Sequence, residues 1–258
     1  MNCLVFDIET IPDVALGRRL YGLQGLADGQ VAKAMFALRR QDSGADFLPH
    51  EQHRIIAISC LLRSGDGLRL WSLGDLSATE GELIERFFDG IEKFSPDLVS
   101  WNGSGFDLPV LNYRGLLAGV QAPRYWETGD ADAAFRYNNY LSRFHWRHLD
   151  LMDVLAAYQS RARVSLGNVA CLLGLPGKLG FSGAQVWEAY LTGNLAGIRH
   201  YCETDVLNTY LIYLRFELLR GHFTRERYAE EIERVTAMLR AATEPHLAEF
   251  LRAWESPA

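Results

Sequence analysis

The sequence predicts an α/β protein with a mixed central sheet flanked by helices. Three observations predict it. The opening run "NCLVFDIET" is short, apolar and β-branched, as a buried strand is. "HRIIAISCLLRSGDGLRLWSL" holds two strand patterns joined by Gly-Asp-Gly, the sign of a hairpin. Strand and helix patterns then alternate, and the last third turns mostly helical.

Each element follows in order. Residues 13 to 53 mix a helical patch, "QVAKAMFALRR", with the loop signals of "QDSGADFLP", and read as an insertion. After the hairpin comes an amphipathic helix from about Glu80 to Lys93. "PDLVSWN" is a strand, and "DLPVLNYRGLLAG" a helix that stops at glycine. Helical patterns cover 195 to 220 and 224 to 252; the last helix could pack on its own domain or on a second copy. With no repeat and no long linker, a single domain over residues 1–258 is expected.

Bulk properties narrow the class. At 258 residues and 48% hydrophobic content the chain can fill a substantial core. Apolar runs such as "IIAISCLL" break well short of the roughly 18 residues a membrane span needs, so no membrane partner is expected. "MNCLVFDIET" enters a strand directly without a secretory pattern, so the expectation is cytoplasmic. Cys3, Cys60, Cys171 and Cys202 lie far apart and read as buried thiols. A net charge of -6 argues against binding nucleic acid through a broadly basic surface. It does not exclude a nuclease, because acids gathered around divalent ions lower the net charge while the ions restore positive charge locally.

Asp7 and Glu9, two apart on a strand, leave the same face of a sheet. They could be solvated acids at a strand end, but side by side they repel unless a cation sits between them. Asp107 opens a helix after "SWNGSGF". Helix capping accounts for it alone, yet the glycines allow close backbone approach, and Trp101 and Phe106 offer faces for a base. Asp205 stands on a helix with Tyr201 one turn before it. Four carboxylates from two strand ends and two helices form a hard oxygen set suited to Mg²⁺ or Mn²⁺.

"FDIET", "WNGSGFDLPVL" and "YCETDVLNTYLIYLR" resemble the three motifs of the DEDD superfamily of 3′-to-5′ exonucleases. The resemblance is closest to the stand-alone bacterial group related to the proofreading domain of family B DNA polymerases. "HRIIAIS", "YLSRFHWRHLDLMD" and "SLGNVACLLGLPGK" extend it across roughly residues 2 to 217, without polymerase motifs. It implies a ribonuclease H-like (DnaQ-like) fold and two-metal hydrolysis releasing nucleoside 5′-monophosphates. It implies that Asp7 bridges both ions, that Glu9 and Asp205 complete the first, and that Asp107 holds the second. It also implies that Thr10 and Ile11 contact the terminal nucleotide and that Asn102 and Phe106 line the wall.

"HYCETD" satisfies two subclass spacings at once, with His200 five and Tyr201 four residues before Asp205. Four helical residues turn about 400° and five about 500°, so geometry brings the tyrosine to the face of Asp205 and swings the histidine away. Tyr201 is therefore expected beside the nucleophilic water.

"FRYNNYLSRFHWRHLD" interleaves Arg143 and Arg147 with aromatic residues, which suits a single-strand groove and equally a core. Asp150 and Asp153 are expected to support, hydrogen-bond or cap, not to touch metal. "LGLPGK" is too short for a phosphate-binding loop and reads as a turn after a helix. The leading expectation is a 3′-to-5′ exonuclease on single-stranded DNA ends, with two divalent cations. An RNA-trimming enzyme or oligoribonuclease is the alternative within the same chemistry. A non-catalytic nucleic-acid-binding module and a purely structural domain are the alternatives outside it.

Overall fold

The computed structural model describes residues 1–256. The first strand, β1 (Asn2–Pro12), runs into Asp13, which caps α1 (Val14–Tyr21) by accepting from the Leu16 amide at 2.9 Å. The segment read as an insertion continues through α2 (Asp28–Ser43), which contains the helical patch and is stopped by Gly44 at φ 74. Strands β2 (His53–Ser64) and β3 (Gly67–Ser72) pair antiparallel across Gly65-Asp66, with Gly65 at φ 53 as such a tight turn requires.

Helix α3 (Glu80–Phe94) starts in a reciprocal cap between Thr79 and Glu82 and buries Leu83, Ile84, Phe87, Phe88 and Ile91. Then come β4 (Asp97–Ser100), α4 (Asp107–Ala118), the short α5 (Pro123–Trp126), β5 (His148–Asp150), α6 (Leu151–Leu155), α7 (Leu166–Leu172) and α8 (Val186–Leu191). The chain closes with α9 (Leu195–Leu219), α10 (Arg225–Ala241) and α11 (Pro245–Glu255).

The sheet order is β3-β2-β1-β4-β5. β1 pairs antiparallel with β2 and parallel with β4, and β5 adds parallel to β4. As the middle strand, β1 is covered on both faces, which is why its sequence is almost continuously apolar. Leu4, Phe6 and Ile8 face a core shared with α3 and α4; Cys3 and Val5 face a second core shared with α9, α10 and α11. Arg114 of α4 is buried against Asp13 at 2.6 Å and against Glu80 at 2.8 and 2.6 Å. These bonds fix α4 to the ends of β1 and the start of α3.

Two expectations need correction. The single helix expected over 224 to 252 is two, because Pro245 has no amide to continue α10 and instead opens α11. Both helices pack on their own chain: Val235, Leu239, Leu247 and Phe250 join the second core. Cys171 is exposed, whereas Cys3, Cys60 and Cys202 are buried. Among the described residues no helix is long and apolar enough to cross a membrane.

Candidate active site

Strand alternation puts Asp7 and Glu9 on the α9 side of the sheet, in line with Cys3 and Val5. Parallel pairing of β1 with β4 ends at Val5 and Val99, and the two strands then part. The first turn of α4 fills that crevice, where Asp107 Oδ1 accepts from the Ile8 amide at 3.2 Å. Asp107 is the first helical residue and not the cap; its carboxylate is turned to β1. From the other side α9 brings Asp205, Tyr201 and Cys202, whose Sγ lies 3.4 Å from Asp7 O and 3.5 Å from Asp7 Oδ2.

The four acids act on one another. Burial raises the pKa of Asp7 well above the usual carboxylate range, and the charges of Asp107, Glu9 and Asp205 raise it further. Glu9 is raised in the same way, by burial and then by Asp205 and Asp107. Burial pushes Asp107 up to about 7. It pushes Asp205 up to about 6, against the opposing pull of Tyr201 and Lys178. Like charges gathered in a dry crevice hold protons when nothing else neutralises them.

Tyr201 and His200 part company here. The Tyr201 phenol faces Asp205, and burial together with the Asp205 charge raises its pKa. His200 instead stacks flat on His246, with ring centroids 4.0 Å apart. His246 in turn bonds Glu203 at 2.8 Å.

Lys178 was not singled out by the sequence. "LGLPGK" does form a turn, with Gly174 and Gly177 at positive φ. Asn208 of α9 clamps that turn through both its side-chain oxygen and nitrogen to Gly177, at 3.1 and 3.0 Å. The clamp sets Lys178 Nζ 5.6 Å from the centre of the Tyr201 ring and leaves its charge acting on Glu9 and Asp205. Phe181 packs on the same tyrosine at 5.0 Å.

Asp150 takes the supporting position expected of it. Its two oxygens accept from the amides of Asn102 (2.9 Å) and Ser104 (3.0 Å), and it also caps α6. These bonds hold the loop before Asp107, in which Asn102 adopts φ 68. A Cβ at Gly103 would run into the Ser100 side chain down to its Cβ, so that position needs glycine, while one at Gly105 would meet the carboxamide end of Asn102. Asp153 holds Arg143 at 2.6 Å and Arg163 at 2.7 Å.

The other candidate residues divide. Thr10 lies beside Glu9, with its hydroxyl 2.8 Å from His53 Nδ1, and Phe106 is half-buried beside Asp107. Ile11 does not offer its side chain, which is buried in a core with Ile56, Val186 and Ile198. Trp101 is half-buried against the second core, so its ring is not a free stacking face. Arg143 keeps 44% side-chain exposure. Arg147 is structural: its guanidinium lies 3.9 Å from the centre of the Phe135 ring, and its Nε donates to Asn138 O at 2.8 Å. Phe135 and Tyr140 are core, while Tyr137, Phe144 and Trp146 are exposed.

The residues fit divalent cations. Asp7, Glu9 and Cys202 place a ligand atom each within 4.8 Å of one another. Asp205 Oδ1 is buried without a hydrogen-bond partner, and the proton-holding acids are a site short of positive charge. Carboxylate oxygens suit Mg²⁺ or Mn²⁺. The Cys202 thiol, whose pKa burial and the charge of Asp7 raise, stays protonated and is a poor ligand.

The family model described as a predicted 3′-5′ exonuclease related to the exonuclease domain of PolB matches residues 45–254. Among solved structures, the family B DNA polymerase from the hyperthermophilic archaeon Pyrobaculum calidifontis superposes with a TM-score of 0.50 at 16% identity. The match takes in 97% of this chain and spans 27% of the polymerase. That likeness shows the fold, which is α/β and ribonuclease H-like. No curated protein matches.

Proposed function

Because the chain belongs to the family of predicted 3′-5′ exonucleases related to the exonuclease domain of PolB, we propose that it removes nucleoside 5′-monophosphates from the 3′ end of single-stranded DNA. The convergence of Asp7, Glu9, Asp107 and Asp205 from β1, α4 and α9 carries this reading. Asp7, central to the group, would bridge two divalent cations, Glu9 and Asp205 would complete one site, and Asp107 the other. Bound there, the cations supply a water of lowered pKa and stabilise the leaving 3′ oxygen.

The chain's own groups do the remaining work. Tyr201, its pKa raised, keeps its proton at neutral pH. It acts through its O–H, orienting a water or phosphate oxygen beside Asp205, and not as a base. Lys178 adds positive charge on the same side, where developing negative charge on phosphate needs it. The loop braced by Asp150 keeps the Asp107 carboxylate on β1.

The test is a 5′-labelled single-stranded oligonucleotide with Mg²⁺. Stepwise shortening from the 3′ end with release of mononucleotides is expected, and excess chelator should abolish it. Full activity in chelator would overturn the reading. A matched RNA strand cut faster than DNA would move the substrate to RNA.

A further inference from the structure

Strand β3 stands at the edge of the sheet: in the order β3-β2-β1-β4-β5 it pairs with β2 alone among the described residues. Its register on β2 runs unbroken from Gly67 to Ser72, without bulge or proline. Such an edge, apolar at Leu68 and Leu70, is a template for another strand, and proteins that keep their edges closed blunt them.

The backbone groups left open can be named. The Leu73 amide donates to the Ile58 carbonyl at 2.8 Å, so in this antiparallel register the bonds to β2 fall on Gly67, Arg69 and Trp71. The amides and carbonyls of Leu68, Leu70 and Ser72 therefore point away from β2. Arg199 of α9 agrees with that direction, donating to the Ser72 carbonyl at 3.2 Å and to the Gly74 and Asp75 carbonyls at 2.8 and 2.9 Å. Nothing in the described chain pairs with the open groups of Leu68 and Leu70.

These groups border a groove of about 770 Å³. It runs between residues 68 to 72 and the corner where α10 meets α11, with Met238, Glu244, His246 and Leu247 on the far side. Alternation along β3 turns Leu68 and Leu70 to the second core, with Met238 and Leu247, and turns Ser72 to Glu203, whose Oε1 accepts its hydroxyl at 2.6 Å. One end of the groove is thus apolar, and the other carries the carboxylates of Asp75, Glu203 and Glu244. The lining arginines are otherwise engaged: Arg199 on its three carbonyls, and Arg69 over the Trp71 ring at 5.2 Å on the opposite face.

We propose that this groove docks an extended peptide of a partner protein, which adds to β3 as a further strand of the sheet. Main-chain bonds to Leu68 and Leu70 hold it. Its apolar, β-branched side chains lie over those two leucines, and a lysine or arginine beside Ser72 meets Glu203 and Glu244. In an antiparallel ladder that chemistry reads basic-x-apolar-x-apolar. A second copy of this chain is the poorer occupant, because antiparallel pairing of two β3 edges sets both α10–α11 corners against each other over one face.

Fluorescence anisotropy of the full chain tests this with a labelled peptide, Ser-Gly-Lys-Thr-Val-Thr-Val-Gly-Ser, whose valines pair with Leu70 and Leu68. Saturable binding is expected. N-methylation of both valines removes the amides that donate to the Leu70 and Leu68 carbonyls, and should weaken binding by about tenfold. Norleucine in place of the lysine should weaken it by about threefold, and that ratio should fall to one in the double variant Glu203→Gln, Glu244→Gln. Leu70→Pro removes an outward amide without touching the bonds to β2, as an edge position allows, and should also weaken the parent peptide severalfold. The peptide comparisons use the wild-type chain, so the test stands if Leu70→Pro fails to fold. A methylated peptide that binds as tightly as its parent, or a parent that does not saturate, overturns the proposal. So does a dimer in solution that Leu70→Pro dissociates, which would give the edge to a second copy.

Discussion

Arg63 of β2 donates two hydrogen bonds of 2.8 Å to Glu231 of α10, with both side chains fully shielded from solvent. Tyr210, Arg227 and Arg234 also surround the carboxylate, at 3.4, 2.7 and 3.7 Å. Glu231→Ala strands the buried guanidinium and should cost about 3–5 kcal/mol, read by urea unfolding. Arg63→Met should cost less, because Glu231 keeps Arg227. The pair Arg63→Met with Glu231→Leu should recover most of the loss; a double variant as weak as Glu231→Ala alone would show that the pair itself is worth its burial.

The four crowded acids make a prediction about pH. Asp107 and Asp205, at about 7 and about 6, and Asp7 and Glu9, also raised, bind protons more tightly folded than unfolded. Their contribution to stability is full below the unfolded carboxylate range near 4 and fades as pH rises through the folded values. Buried His53 and His148, both lowered to about 4, run the other way. The difference between wild type and Asp7→Asn isolates the acids. In chelator the variant should melt progressively higher than wild type from about pH 4 to pH 8, and Mg²⁺ should erase that advantage. A difference that stays flat with pH would contradict the mutual repulsion.

Tyr201→Phe removes the O–H facing Asp205 and should lower single-turnover rates by about 10²-fold, the low end for a positioned proton-handling group, with Mg²⁺ affinity kept. His200→Ala should retain most activity, since its ring rests on His246 away from the acids. If the histidine variant is the crippled one, the assignment of Tyr201 fails.

Arg143 and Arg147 separate in a salt titration. Arg143→Ala should weaken oligonucleotide binding and make the salt slope shallower by about 0.7, the value for one single-strand phosphate contact. Arg147→Ala should leave the slope alone and lower unfolding stability by about 1–2 kcal/mol through its lost ring contact and hydrogen bond. Equal slope changes would return Arg147 to the surface.

Much of the candidate site was legible because it rests on local periodicity. A two-residue spacing on β1 fixes the shared face of Asp7 and Glu9, and a four-residue spacing on α9 sets Tyr201 against Asp205 while excluding His200. What could not be read depends on contacts distant in sequence. Lys178 reaches the acids only because Asn208, on another element, clamps Gly177. Arg147 rests on the Phe135 ring, a contact that no local pattern shows. Phe47 sat in a segment read as an insertion, and nothing local ties it to Phe106. The break before α11 is different: Pro245 was a visible stop signal, overridden by the apolar pattern around it.

The acids span almost the whole chain, from Asp7 on the first strand to Asp205 on the ninth helix, and the Asp7 carbonyl meets its Cys202 neighbour across 195 positions. A ribosome delivers β1 well before α9. Until α9 emerges, the growing polypeptide lacks its fourth carboxylate, its tyrosine and most of the second core. A product cut short before residue 195 therefore carries only three of the four acids and lacks Tyr201.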